Sequence, residues 1–278
     1  GGGVQWSEAG DEVCRMAELT GAAIVTSYGR ADAVPNDHPN YLGHLGRLGS
    51  LEGIEAVRQA DTILAVGTRL SQSTTFYDNR FIPADAKIIQ IEIDPQEIGR
   101  NYPVAVGIEG DAKAVMEGLL EKVREGEPKP NAQWVSEIHD LAARRTSRLD
   151  DEGNDNSSLM KPQKVYAELR KVMPRDAIIA LDAGLAPNYG QDRLNYYEPK
   201  SLITSLDLGG LGFSFPAAIG AKFAAPDRPV INFNGDGGFL FNAQEFSTAV
   251  QYNLPLVTVI MNNGIWGSEK AYQRYAFD

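Results

Sequence analysis

The stretch from Pro229 to Asn263 restricts the fold of this chain more tightly than any other. An apolar run, Pro229 to Phe233, ends in Asn234-Gly235-Asp236-Gly237-Gly238. A helical pattern follows from Asn242 to Asn253, with Asn242 as N-cap and Glu245 three residues on, as in a capping box. A second apolar run, Pro255 to Met261, closes on Asn262-Asn263. Strand, helix and strand in this order predict a parallel βαβ unit, whose two strand ends emerge on one edge of the sheet. Asp236 and Asn263 are therefore expected side by side, among glycines that let a backbone approach closely. Oxygen donors of this kind suit a hard cation such as magnesium, which commonly shares its shell with phosphate oxygens.

Strand and helix patterns alternate through the rest of the chain. Asp11 to Leu19 is amphipathic, and Ala22 to Thr26, Asp61 to Val66 and Lys87 to Ile93 read as strands. Asp111 to Arg124 reads as a helix, acidic at its start and basic near its end. Glu125 to Pro130 has linker composition; Trp134, Ile138 and Leu141 then recur at helical spacing, which predicts a docking helix. Asp150 to Ser158 reads as an acidic loop. A second module follows: helix from Pro162 to Val172, strand from Ala177 to Leu181, a glycine-rich segment, helix from Pro216 to Ala224, and the βαβ unit. The fold class is α/β, two parallel-sheet domains with helices on both faces.

The balance of 26 basic against 37 acidic residues, with no basic cluster, argues against nucleic acid as a partner. No apolar run is long enough to span a membrane, and no signal peptide is visible. Cys14 stands alone, so a reducing cytoplasm is the default expectation. His38, His44 and His139 show no metal-ligand spacing, and the glycines around His44 read as a turn-rich loop. A nicotinamide-dependent oxidoreductase would need a Gly-x-Gly-x-x-Gly turn after a first strand, which the sequence does not contain.

Gly-Asp-Gly followed at a distance by Asn-Asn resembles the thiamin diphosphate-binding motif. Gly209 to Ala221 resembles the segment that cups the cofactor's rings in acetolactate synthase relatives, and Ala60 to Leu70 with Ile89 to Pro95 resembles their middle domain. The resemblance covers nearly the whole chain. It implies a middle domain over residues 1–128 whose first strand is missing, a linker and docking helix over 129–159, and an incomplete diphosphate- and magnesium-binding domain over 160–278. The chain then reads as an internal piece of a longer polypeptide. The implied enzyme decarboxylates or ligates a 2-oxo acid, with thiamin diphosphate carrying the carbanion chemistry.

By the same resemblance, Asp236, the Asn263 side chain and the Ile265 carbonyl bind Mg2+, while Asn262 satisfies backbone groups. Gly235, Gly237 and Gly238 face the diphosphate, with further cofactor contacts at Gly184, Gly210 and Gly267. Leu211 takes the place of the aliphatic wedge beneath the cofactor, against the plainer reading of a core leucine. Leu185 and Ala186 stand where the family has polar residues, which leaves backbone contact to phosphate at that loop. The activating glutamate belongs to an N-terminal domain supplied by a neighbouring subunit, so a homo-oligomer is expected and the catalytic residue is not in this chain. Arg69 and Asp94 lie where acetolactate synthases contact FAD, but Leu70 to Tyr77 departs from that pattern and leaves flavin open. Trp266, Gly267, Glu269, Lys270 and Gln273 resemble sulfoacetaldehyde acetyltransferase instead. That acyl transferase and a non-catalytic subunit of the same fold are the alternatives.

Overall fold

The computed structural model describes residues 1–205 and 208–277, Tyr275 by its backbone. They form two compact units, Gly1–Leu149 with Asn195–Pro199 and Asp150–Leu194 with Lys200–Asp278.

The first unit runs α1 (Gly2–Ser7), α2 (Gly10–Thr20), β1 (Ile24–Thr26), β2 (Tyr41–His44), α3 (Leu51–Gln59), β3 (Thr62–Val66), α4 (Gln72–Thr75), β4 (Lys87–Glu92), β5 (Val106–Glu109) and α5 (Ala112–Glu125). Its strands are all parallel but fall into two sheets, β1-β2 and β3-β4-β5, rather than one. Successive side chains of a strand point to opposite faces. Val66 and Ile91 accordingly pack with Val4, Met16 and Met116 from α1, α2 and α5, while Ala65 and Ile88 pack with Leu70, Ile82 and Tyr102. Asp111 caps α5, its carboxylate accepting from Lys113 N and Ala114 N.

The expected docking helix is α6 (Ala132–Gly153), with Ile138 and Leu141 buried against Leu42 and Ala56. Arg148 clamps Glu52 at 2.8 Å. Burial alone would raise the Glu52 carboxyl, but the Arg148 hydrogen bonds win and hold it below the usual glutamate range. Residues 150–153, expected as loop, are the last turn of α6: Glu152 pairs with Arg193, 41 residues further along the chain, so a stretch of acidic, loop-like composition is held by a distant cation. His44 is also not in a loop. It ends β2 opposite Thr26, fully buried, with Nδ1 2.8 Å from the Leu45 carbonyl.

The second unit runs α7 (Pro162–Val172), β6 (Ile178–Leu181), α8 (Leu185–Asn188), α9 (Gly190–Arg193), β7 (Leu202–Thr204), α10 (Ser214–Ala224), β8 (Val230–Gly235), α11 (Asp236–Asn242), α12 (Phe246–Gln251), β9 (Val257–Met261) and α13 (Gly267–Ala276). One parallel sheet orders these strands β7-β6-β8-β9. Ile178, Ala180 and Val230 face Ala218 of α10. On the opposite face Tyr166 of α7 packs against Phe233, ring centroids 5.1 Å apart and planes tilted by 47°. Helices therefore cover both faces, as the sequence pattern predicts. No helix among the described residues is long and apolar enough to cross a membrane.

Candidate active site at the carboxyl edge of the second sheet

β8 and β9 pair in parallel with Gly235 opposite Met261, and β6 pairs β8 with Leu181 opposite Phe233. Three segments therefore leave the same edge: Asp182-Ala183-Gly184, Asp236-Gly237-Gly238 and Asn262-Asn263-Gly264. In open parallel α/β sheets this edge is where ligands bind.

Gly235 is extended (φ −74°, ψ 161°) and leads straight into α11, whose first residue is Asp236. Asn242 ends α11 and stands at the N-cap of the short 3-10 turn Ala243–Glu245, but its side chain makes no cap hydrogen bond there, so the expected capping box is absent. Asn242 Nδ2 instead donates to the Gly212 carbonyl at 2.8 Å, and Glu245 accepts from Thr248 Oγ1. The Asp236 carboxylate is half-buried and takes no hydrogen bond or ion pair among the described residues. The first N–H groups of a helix lack intrahelical partners, so those of Gly237 and Gly238 remain for a ligand or water.

The two glycines are required by crowding rather than by backbone angle. A Cβ on Gly237 would meet Trp266 Nε1 at 2.7 Å, and one on Gly238 would meet Asp182 Oδ2 at 2.2 Å. Around Gly235, Gly210 and Gly264 a Cβ would meet only open space. Gly184 takes φ 120°, and a Cβ on Gly267 would lie 3.6 Å from Leu185 and 3.7 Å from Asn263 Nδ2. Gly267 and Asn263 are thus brought together with the loop after β6.

Asp182 organises this edge, a role that did not emerge from the sequence. It is fully buried, and its two oxygens accept from Gly212 N (3.0 Å) and Ser214 N (3.1 Å). Ser214 Oγ in turn donates to Asn234 Oδ1 at 3.1 Å. Burial raises the Asp182 carboxyl above the usual range although those backbone donors oppose it. Gly212 (φ +80°) is held from the other side by Asn242. Leu211 therefore sits on a loop pinned at both flanks, yet its side chain is 38% exposed. It is not a core leucine, which leaves the wedge reading standing.

Asn262 Oδ1 accepts from Gly264 N and Asn263 Oδ1 from Ile265 N, both at 3.1 Å. Asn262 thus serves the backbone, as expected. These bonds fix the Asn263 carboxamide, whose oxygen keeps a second lone pair. Among the described residues no backbone N–H donates to the Ile265 carbonyl. No group of three His, Cys, Asp or Glu gathers among the described residues either. The donor set of this edge is thus one carboxylate with carboxamide and carbonyl oxygens, which fits a hard cation that keeps phosphate and water in its shell. In the first unit, Arg69 and Asp94 follow neighbouring strands β3 and β4 and are exposed, with Asp94 Oδ1 engaged in capping a turn at Gln96 N.

Fold and site define a parallel α/β protein with an oxygen-donor, glycine-lined ligand edge. Residues 1–119 match the family model described as thiamine pyrophosphate enzyme, central domain, and residues 182–278 match thiamine pyrophosphate enzyme, C-terminal TPP binding domain. The chain belongs to the thiamine pyrophosphate enzyme family. It is 33% identical to a sulfoacetaldehyde acetyltransferase of Alcaligenes xylosoxydans xylosoxydans over 98% of this chain and 49% of that protein. It is 36% identical to a probable acetolactate synthase large subunit of Methanocaldococcus jannaschii over 98% of this chain and 46% of that protein. With the acetolactate synthase large subunit of Haemophilus influenzae it shares 34% identity over 98% of this chain and 47% of that protein. The chain thus spans about half the length of the curated relatives it matches.

Proposed function

We propose that this chain is part of a thiamin diphosphate- and magnesium-dependent enzyme that decarboxylates or ligates 2-oxo acids in the manner of acetolactate synthase. The observation that carries the proposal is the partnerless Asp236 carboxylate beside Gly237 and Gly238, on the edge it shares with Asn263. Asp236, Asn263 and the Ile265 carbonyl would hold the magnesium. The backbone N–H groups of Gly237 and Gly238 would face the diphosphate, and Gly184, Gly210, Gly235 and Gly267 keep the surrounding surface low. Leu211 supplies bulk beneath the rings, and Asp182 holds that leucine's loop in place. Bound thiamin diphosphate would supply carbanion stabilisation, which no protein side chain offers. Flavin forms no part of the proposal.

Sulfoacetaldehyde acetyltransferase-like chemistry is the second reading, favoured by the Trp266–Gln273 stretch and by Trp266 packing directly on Gly237. Product analysis on the assembled enzyme separates the two. Pyruvate alone should give acetolactate in the first case; acetyl phosphate should require sulfoacetaldehyde and phosphate in the second. In either case Asp236→Ala should lower turnover more than a hundredfold. Equal turnover by this variant would contradict the assignment of the site, and no product from either mixture would favour a non-catalytic subunit.

A homo-oligomer belongs to the proposal. Leu240 (74% exposed) and Val250 (73%) on α11 and α12 and Val257 (58%) on edge strand β9 leave apolar surface that a lone chain would expose to water. Sedimentation at micromolar concentration should give at least a dimer, and a monomer at that concentration would refute this part.

A further inference from the structure

A central strand of a parallel sheet covered by helices is ordinarily apolar on both faces. β8, which pairs with β6 on one side and β9 on the other, departs from this on the face toward α10. Side chains two apart along a strand share a face. Val230 packs on Ala218 of α10, so Asn232 and Asn234 follow it beneath that helix, where Ser214 Oγ donates to Asn234 Oδ1 at 3.1 Å. Both asparagines are wholly buried. Thr258 of β9 stands in register with Asn232 and turns to the same face, as does Leu256, which packs against the cluster that holds Val230.

Four side-chain atoms of this row are buried without a hydrogen-bond partner among the described residues: Asn232 Nδ2, Asn232 Oδ1, Asn234 Nδ2 and Thr258 Oγ1. A buried donor or acceptor left unpaired costs more than an ordinary hydrogen bond contributes, so buried polar groups are paired with protein or with ordered water. Protein does not supply the partners here. The register neighbour of Asn232 on β6 is Ala180, and α10 presents Ala218 on this face, so both offer only a methyl group. The same methyl groups take little space beside the carboxamides. Donors and acceptors also balance: the two amide nitrogens donate, the Asn232 oxygen accepts, and the Thr258 hydroxyl does either. Asn232 and Asn234 stand roughly 6.6 Å apart along extended backbone, about two hydrogen-bond lengths, which is a span that one water closes.

We propose that the α10 face of β8 holds two buried water molecules. One joins Asn232 Nδ2 to Thr258 Oγ1 across the strands, and the other joins Asn234 Nδ2 to Asn232 Oδ1 along β8. With a hydrogen bond between them each water makes three, about the usual number for a buried water. A continuous row of hydrogen bonds then runs from Asp182 through Ser214 and Asn234 to Asn232 and Thr258. It ties β9 to β8 through side chains, below the edge at which Asn263 and Asp236 leave these strands. The water site does not depend on what that edge binds.

The test is a high-resolution crystal structure of the full-length protein, together with unfolding equilibria of Thr258→Val, Asn232→Leu and the double variant. Wild type should show two water peaks at about 3 Å from the four atoms. Thr258→Val should lower the folding equilibrium constant about tenfold in wild type, because the water beside it loses a partner. In the Asn232→Leu background, where the leucine displaces both waters, the same substitution should cost less than about threefold. The wild-type density decides even where a variant fails to fold. Direct hydrogen bonds from Asn232 to Thr258 or Asn234 with no peak between them would overturn the proposal. So would a peak surrounded by oxygens alone, as a cation would be, or equal costs of Thr258→Val in the two backgrounds.

Discussion

Asp182→Ala is expected to destabilise the second unit by about 3 kcal/mol and to release the loop that carries Leu211. The substitution removes the acceptor of two buried N–H groups, those of Gly212 and Ser214. Each buried donor left unpaired costs roughly 1–3 kcal/mol, and a small cavity adds to that. Asp182→Asn keeps one acceptor but points its NH2 group at the other N–H, so about half the loss is expected there. The pH dependence has a definite sign. Burial raises the folded-state pKa above the ordinary 3.8, so the stabilising contribution of this group is complete below that value and is lost as pH rises through the folded pKa. Wild type should therefore lose stability relative to Asp182→Asn across that window. Chemical denaturation at a series of pH values reads both effects; a loss under 1 kcal/mol for Asp182→Ala would contradict the anchoring role.

Gly238→Ala should reverse the usual helix trend. Gly to Ala inside a helix ordinarily gains up to about 1 kcal/mol. Here the new Cβ falls 2.2 Å from Asp182 Oδ2, and that oxygen cannot retreat without leaving Gly212 N. A net loss of about 2 kcal/mol is expected from overpacking and the weakened hydrogen bond. Since both substitutions break the same contact, the Asp182→Ala/Gly238→Ala pair should cost less than the sum of the two singles. Strict additivity in a double-mutant cycle would show that the crowding is relieved elsewhere.

The local part of this architecture was legible in the sequence. Strands β3, β4, β6, β8 and β9 and helices α2, α5, α7 and α10 follow from apolar periodicity, and the Asp236–Asn263 edge follows from two such strands in succession. Apart from β1 and α12, the short elements are not legible. β5 and β7, of four and three residues, are too brief for a period to show. The start of α11 is hidden because a glycine-rich run reads as a loop, and the capping box at Asn242 fails because its side chain bonds Gly212, 30 residues away. The partners of Asp182 stand 30 and 32 residues away, beyond any local pattern. The division of the first unit's strands into two sheets is a matter of pairing, which periodicity does not report.

On the proposed function, Asp236 and Asn263 form the magnesium anchor of a diphosphate site. Asp236 contributes little to the fold: it has no hydrogen bond to lose, and its charge in the first turn of α11 is worth only about 0.5 kcal/mol. Binding and folding effects should thus separate at this residue. The direct measurement is calorimetric titration of thiamin diphosphate into the assembled enzyme with and without magnesium, for wild type, Asp236→Ala and Asn263→Ala, beside a thermal melt of each. The expected result is magnesium-dependent binding in wild type and at least a hundredfold weaker binding in Asp236→Ala, about 2.7 kcal/mol. Asn263→Ala should be weakened at least tenfold, with the Asp236→Ala melting temperature unchanged. Wild-type affinity in Asp236→Ala, or wild-type binding indifferent to magnesium, would contradict the account.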